Sequence, residues 1–493
     1  MTRARAVAVK SIRCAMAGKI FALRTLLIIF ITFLFLSCDL FLDVNNSPDN
    51  FWATNYSTRK NYRVKAELFA EGEYCNVWVE RGSGVSKGQA KTVAYQYDNK
   101  IYRLMINTFG IEISSYNGET FSDTMDTMAF ADYLGDKDGK LCILLLDIKD
   151  DYKAGVNESY VAGYFWPGNF FDISGSNKSD MIYIDTYPGM GIRDKNIENV
   201  FPTLAHEMQH MMNRVTRIML SSSGSIFTPS MDTWIDEGLS SAAEYIIGGE
   251  HSKDRIDWYN KNGDSNARLK GLIDQGNNFF VWENHEDENP YAVLDDYATV
   301  YLFFQWLRLQ KGISVYRDII SSSYGDYRAV ANAMGEDWDT LLKNWMAANY
   351  INSGTGVYGY KGEIPITTHT APAGKTEISL YPGEGVYSLT NASDTMPIGG
   401  GVNIKYAGLD ITEGVNDSIV FNAGRLLTYN INTVLNGKAE IGITTGKAAS
   451  VNITPMGGRS VTSSYSGPYR IGAGDILSRN GKNRDTSWNF QDK

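Results

Sequence analysis

A chain of 493 residues with 43% hydrophobic and 21% charged side chains has the material for two or three domains and a sizeable core, which excludes a disordered polymer. Its formal net charge of −10, with no basic stripe laced with aromatic residues, excludes a nucleic-acid binder. The 30 Tyr and 10 Trp beside so modest a charge content lean toward an extracellular protein.

The first 24 residues carry Arg3, Arg5, Lys10, Arg13, Lys19 and Arg24 and no acid, and an apolar run over 26–36 precedes Ser37 and Cys38. Basic, apolar and small residues in that order read as a secretory signal, and the run is short of the roughly 20 residues of a membrane span. A Cys at the cut resembles the bacterial lipoprotein signal. Cys38 is then expected to become the lipidated first residue, with the membrane of a bacterial cell envelope or surface as partner. A plain signal anchor or an unmodified secreted protein is the alternative, and Met16 is a second candidate start. The expected divisions are a signal over 1–38, a polar tether over 39–58 containing Asn45, Asn46, Ser47 and Pro48, a catalytic domain over 59–354, and a β module over 355–493.

Residues 60–81 alternate as strands do and contain Cys75. Over 86–108 the apolar positions Val93, Tyr97, Ile101 and Met105 recur every four residues, which predicts an amphipathic helix. Residues 141–146, 159–165 and 181–185 read as further strands. Cys75 and Cys142 both sit in strand-like surroundings; an exported protein permits a disulfide between them, and two buried thiols are the alternative. Asp136, Asp138 and Gly139 hint at a Ca²⁺ loop, but such a loop needs more oxygen ligands, and a solvated turn is the better reading. Helices are expected over 197–215, 233–247, 296–310 and 328–351. Past Gly354, Gly, Thr, Ser and Val dominate and helical periodicity gives way to short strands and turns.

The helix over 197–215 contains His206-Glu207-Met208-Gln209-His210, with Pro202 tolerable in its first turn. Residues four apart share a helix face, so both imidazoles can reach one Zn²⁺, and Glu207 can take a proton from a water that zinc acidifies to a pKa of about 7. Two surface His without a metal is the bland alternative, but Leu204, Met208, Met211 and Val215 would bury the opposite face as a core helix requires. A third histidine with a preceding Gly, the metzincin layout, fails because Asn213 and Thr216 stand there. An oxygen-activating iron site would not need the Glu beside the first His. Three acids downstream compete for the third position: Asp236, Glu237 and Glu244. Asp236 and Glu237 are about 100° apart on a helix, and Glu244 is two turns beyond Glu237, so they cannot all reach the ion. Glu237 is the choice, being longer than Asp and followed by Gly238, which would permit a close backbone approach.

The segments Gly163-Tyr-Phe165, Ser176 and Asn177 through Met181-Ile-Tyr-Ile-Asp185, Thr203 to His210, and Trp234 to Ser240 together resemble the hyicolysin family of secreted bacterial neutral metallopeptidases, which belong with the thermolysin-like zincins. The resemblance covers roughly residues 60–350. It implies peptide-bond hydrolysis by a zinc-bound water, with Glu237 as third ligand. One departure is Ser241, where thermolysin has an acid supporting a zinc-bound His; Glu244 is the candidate substitute. The tetrahedral transition state also needs a donor. Tyr297 is the candidate, with Tyr291 and His285 as rivals. The expected architecture is α+β: a zincin-like unit with a mixed sheet above the motif helix, a helical lobe and a C-terminal β-sandwich. Protein or peptide substrates would pair with an exposed sheet edge near 181–185, and a monomer is assumed. The rival function is a surface adhesin or binding lipoprotein that keeps a peptidase scaffold without turnover.

Overall fold

The computed structural model describes residues 50–156, 160–191, 196–221, 228–261, 280 and 292–367, with strand-bearing segments between 377 and 454. Tyr291, His285 and Cys38 lie outside the described residues.

Leu141–Leu146 (β6) is apolar at every position and buried at every position, as a strand covered on both faces must be. It occupies the middle of a six-stranded mixed sheet ordered β1-β2-β3-β6-β8-β7. Here β1 is Asn50–Asn55, β2 Lys60–Glu71, β3 Cys75–Glu80, β7 Gly163–Phe165 and β8 Met181–Asp185. Strands β3, β6 and β8 run parallel, while β2 and β7 are antiparallel to their neighbours β3 and β8. A small hairpin, β4 (Glu112–Tyr116) with β5 (Glu119–Asp126), stands apart from that sheet.

Two segments differ from the expectation. Asn50–Asn55, inside the stretch expected to be a tether, is an edge strand, because Phe51 packs edge-on against Trp78 and the Asn177 side chain bonds both the N–H and the C=O of Trp52. Strand β8, expected to offer an exposed edge, is interior, because β7 covers it through the Ile182–Ile184 register.

The pleat decides the cysteine question. Cys75 stands opposite Leu141 and Asn76 opposite Cys142, so the two cysteines are one register step apart and point to opposite faces. Cys75 packs with the helices and Cys142 with Tyr164, Tyr183 and Leu144 on the other side. Both are free and buried.

The helical side begins with α1 (Lys87–Gln96), capped by the reciprocal Ser86 and Gln89 bonds, a π turn at Tyr97–Ile101, and α2 (Tyr102–Phe109). A strict repeat of four drifts about 40° per step on a regular helix and would carry Met105 off the core face. The π turn absorbs one extra residue, and Val93, Tyr97, Ile101 and Met105 all end up buried. After α3 (Thr127–Leu134) come α4 (Val200–Leu220), α5 (Thr233–Gly248), α6 (Lys253–Lys261), α7 (Ala292–Lys311) and α8 (Val315–Ile320). The single helix expected over 328–351 is two, α9 (Tyr327–Met334) and α10 (Trp338–Ile351). Gly335 at φ 72° closes α9, and Asp337 caps α10 by accepting from the Thr340 N–H at 3.0 Å.

Helix α5 lies against α4, and α7 packs on α5. Gly238 is required at that second contact: any Cβ there would overlap the Phe304 ring of α7. The close approach anticipated for this glycine therefore serves α7 rather than the motif helix. Beyond residue 377 the described strands are antiparallel, including Gly385–Leu389 (β9), Ile404–Gly408 (β10) and Arg425–Asn430 (β11), which form one three-stranded sheet with β11 in the middle. That sheet is tied to α10, with the Tyr387 hydroxyl donating to the Met346 carbonyl at 2.7 Å and the Tyr429 hydroxyl 2.6 Å from Asp339.

Burial raises both thiols above the ordinary cysteine range. In protein purified without reductant, Cys75 and Cys142 are therefore expected to react with a thiol reagent only after denaturation. A disulfide-linked pair of peptides containing them in a non-reducing digest would contradict the register.

Candidate metal centre between two helices

The site is made where α4 crosses α5. His206 and His210, one turn apart on α4, bring their ring centroids to 4.8 Å at an interplanar angle of 76°. Glu237, in the first half of α5, aims a carboxylate oxygen between them. Glu237 Oε2 lies 3.3 Å from His206 Nε2 and 3.7 Å from His210 Nε2. One donor atom from each residue falls within 4.8 Å of the other two, and all three side chains are buried.

Each imidazole is fixed through its other nitrogen. His206 Nδ1 donates to Glu244 Oε1 at 2.7 Å, and the same oxygen accepts from Arg255 of α6 at 2.8 Å. Arg255 is wholly buried, an uncommon place for a guanidinium, and Glu244 is the charge that justifies it. His210 Nδ1 lies 3.0 Å from Asp236 Oδ2 and 3.1 Å from Ser240 Oγ. The other Asp236 oxygen accepts from Asn213, and Ser240 donates to Gln209 at 2.7 Å. Adjacent residues on α5 thus divide the work: Glu237 faces the Nε2 atoms, and Asp236 turns to the back of His210.

A divalent cation fits this donor set. His206 Nε2 and Glu237 Oε2 are buried polar atoms that make no hydrogen bond, while the opposite side of each imidazole is fully engaged. Two imidazoles and one carboxylate suit Zn²⁺, and a carboxylate behind each imidazole fixes which nitrogen is left for the metal. Glu207, between the two His on α4, is also buried, and its charge acts on His210.

The electrostatics agree with that reading. Burial alone would lower the pKa of His210, but the charges of Asp236 and Glu237 outweigh it and push the imidazole up to about 10. For His206, burial is likewise outweighed, by Glu237 and Glu244, and the pKa is raised. Burial would raise Glu244, yet Arg255 and then His206 hold its carboxyl below the usual range. A proton therefore occupies the His210 imidazole of the metal-free protein at neutral pH, and a cation must replace it.

The structure brings together His206, His210 and Glu237 as a group, with Glu207 buried on α4 between the two His. Tyr297 lies on the neighbouring helix. It is buried on α7 with its ring centre 5.5 Å from the Arg255 guanidinium. Sequence reasoning anticipated Glu244 as the support of a histidine but gave Asp236 no role and missed Arg255. Asp236 had a signal, since an acid beside a ligand on a helix points about 100° away, toward the ligand's flank. Arg255 had none, because its partner is reached only through the folded chain.

No family model matches the chain. It is similar to neutral metalloprotease ShpI of Staphylococcus hyicus, with 31% identity over 327 residues, covering 64% of this chain and 66% of that protein. The chain thus spans slightly less than two thirds of that relative's length. No helix among the described residues is long and apolar enough to cross a membrane.

A raised imidazole pKa opposes metal binding below it, so zinc affinity should climb with pH and fall as the solution is acidified toward 6. Calorimetry at pH 7 in buffers of different ionisation enthalpy is expected to show one to two protons released per zinc, with affinity rising about tenfold per pH unit for each proton displaced. Glu244→Gln and Arg255→Met should each weaken zinc by about 10–100-fold with the helices intact by circular dichroism. Binding that is indifferent to pH between 6 and 8, or to both substitutions, would refute the described support.

Proposed function

We propose that the chain is a zinc-dependent endopeptidase of the zincin type with a glutamate as third ligand, exported and held at a bacterial cell envelope by lipid on Cys38. The observation that carries the reading is the convergence of His206 Nε2, His210 Nε2 and Glu237 Oε2 on one buried point, with a carboxylate behind each imidazole. Similarity to a protein named a neutral metalloprotease supports it.

When bound by these three residues, zinc would supply a Lewis acid for the scissile carbonyl and an acidified water. Glu207 accepts the proton of the attacking water and delivers it to the leaving amine, a role its position between the two ligands on α4 allows. Glu244 and Asp236 keep the imidazoles oriented and the proton on Nδ1, so that Nε2 is available. Arg255 keeps Glu244 ionised in its buried position. The oxyanion donor is assigned among Tyr297, Tyr291 and His285.

The substrate is proposed to lie along β7 rather than β8. Strand β7 is the end strand of the sheet, and it sits directly on the motif helix: a methyl at Gly163 would stand 2.8 Å from Thr203 Cγ2, one turn before His206. An extended peptide added to that edge would be held through its main chain, which suits a peptidase that accepts many sequences. The adhesin reading finds no support in these contacts, since a binding scaffold has no use for a matched charge behind each imidazole.

Glu207→Gln is expected to retain zinc and lose turnover by a factor on the order of 10²–10⁴, read by casein hydrolysis beside metal analysis. Glu237→Ala should lose zinc and activity together. Near-normal hydrolysis by zinc-loaded Glu207→Gln would refute the assigned base. Tyr297→Phe separates the two readings of that residue: a kcat loss of about 10²-fold or more with KM unchanged assigns it as the donor, and near-normal kcat returns it to packing.

For the anchor, mass spectrometry of the mature N-terminus is expected to find Cys38 carrying more than one acyl chain, since a single chain binds a membrane only weakly. An unmodified terminus at Asp39 would remove the anchor and leave the peptidase assignment standing.

A further inference from the structure

We infer that the turn joining α3 to β6 is a calcium site, built from Asp132, Asp136 and Asp138 and closed from beneath by Asp180. A carboxylate oxygen from each of Asp132, Asp136 and Asp138 lies within 4.8 Å of the other two. The chain winds tightly to achieve this, with Lys137 at φ 61° and Gly139 at φ 80°. Backbone and amide donors take only part of the oxygen capacity: Gly139 N–H bonds Asp132 Oδ1 at 2.8 Å, Lys140 N–H bonds Asp138 Oδ1 at 2.8 Å, and the Asn76 side chain bonds Asp138 Oδ2 at 3.1 Å.

The independent observation is Asp180, the residue before β8. It is 1% exposed, and its Oδ1 has no hydrogen-bond partner. A buried carboxylate oxygen without a donor is costly and demands a reason. Asp180 is pressed against the turn: a Cβ at Gly135 would stand 2.6 Å from the Asp180 nitrogen and 3.2 Å from that Oδ1. The charges that act on it are those of Asp136, Asp132 and Asp138. Burial and mutual repulsion raise the carboxyl groups of Asp180, Asp136 and Asp132 above the ordinary range. The nearby Lys137 ammonium lies over the Tyr133 ring at 4.5 Å.

The donor set selects the ion. It is all oxygen and mostly carboxylate, with neither imidazole nor thiolate, which favours a hard cation over zinc. Calcium tolerates irregular geometry and fills remaining positions with water on the exposed side, whereas magnesium demands a near-regular octahedron. The sequence reading had set this turn aside for want of ligands; Asp132, one helical turn back, and Asp180, more than forty residues on, are what it lacked. Bound there, calcium would clamp the end of α3 to the starts of β6 and β8, since Cys142 N–H already bonds the Asp180 carbonyl at 2.9 Å. None of these residues belongs to the His206, His210 and Glu237 group.

The test uses the zinc-loaded full chain, dialysed against calcium-depleted buffer with its zinc content verified. Calcium chloride is titrated by calorimetry and by thermal melting, with magnesium chloride as a parallel arm. One calcium per chain is expected, half-saturating at about 10⁻⁴–10⁻³ M or tighter, with a rise in melting temperature. Asp136→Asn and Asp138→Asn, both at exposed positions, should each weaken binding by about tenfold or more. Asp180→Asn, checked for folding by circular dichroism, should do the same. No calcium heat in the unaltered protein, or undiminished binding in the Asp136→Asn, Asp138→Asn double variant, would overturn the site. Magnesium bound as tightly as calcium would overturn the choice of ion.

Discussion

On α4 and α5, the side chains of His206, Glu207, His210, Asp236, Glu237 and Glu244 are all buried. Ionised groups in such a place are tolerated only when each is matched by charge or hydrogen bond. The matching here has a direction. Behind His206 stand Glu244 and then Arg255; behind His210 stand Asp236 and then Asn213. In front, the Nε2 atoms face a carboxylate oxygen of Glu237 at 3.3 and 3.7 Å. That arrangement leaves two imidazoles and a carboxylate as a donor set that could hold a dication.

The rest of the fold keeps these atoms in register. The acids of α5 at 236, 237 and 244 are interleaved with Trp234, Ile235, Leu239, Ala242 and Ala243, all buried, which lock the helix against its neighbours. Phe304 enters at Gly238, so α7 fixes α5 from behind. On the other side, α4 runs under β7 and β8, and Thr203 meets the backbone groove left by Gly163. A site on two packed helices beneath a sheet edge is held more rigidly than one on loops.

The chemistry was legible in the sequence where it depended on local spacing. The two His at a separation of four follow from helical angles; the same angles let only one of Asp236 and Glu237 face them, and Glu237 is the one that groups with the two His. The repeat of four over 93–105 was also legible as a helix, but the π turn that makes such a repeat buriable was not inferred. Contacts that join distant segments stayed hidden. Arg255 behind Glu244, Asp180 under the Asp136 turn and β7 across β8 have no periodic signature, because each depends on how the chain returns to itself. Asn50–Asn55 was misread for the same reason: its polar residues gain strand structure only by pairing with β2 and by the Asn177 clamp.

The account turns on what surrounds the metal, and X-ray absorption at the zinc edge on the purified protein addresses that directly. The result expected is one zinc per chain with only nitrogen and oxygen neighbours at about 2.0–2.2 Å, two of them imidazoles, and loss of the carboxylate contribution in Glu237→Ala where any zinc is retained. A sulfur neighbour at about 2.3 Å, a third imidazole, or an unchanged spectrum in Glu237→Ala would contradict it.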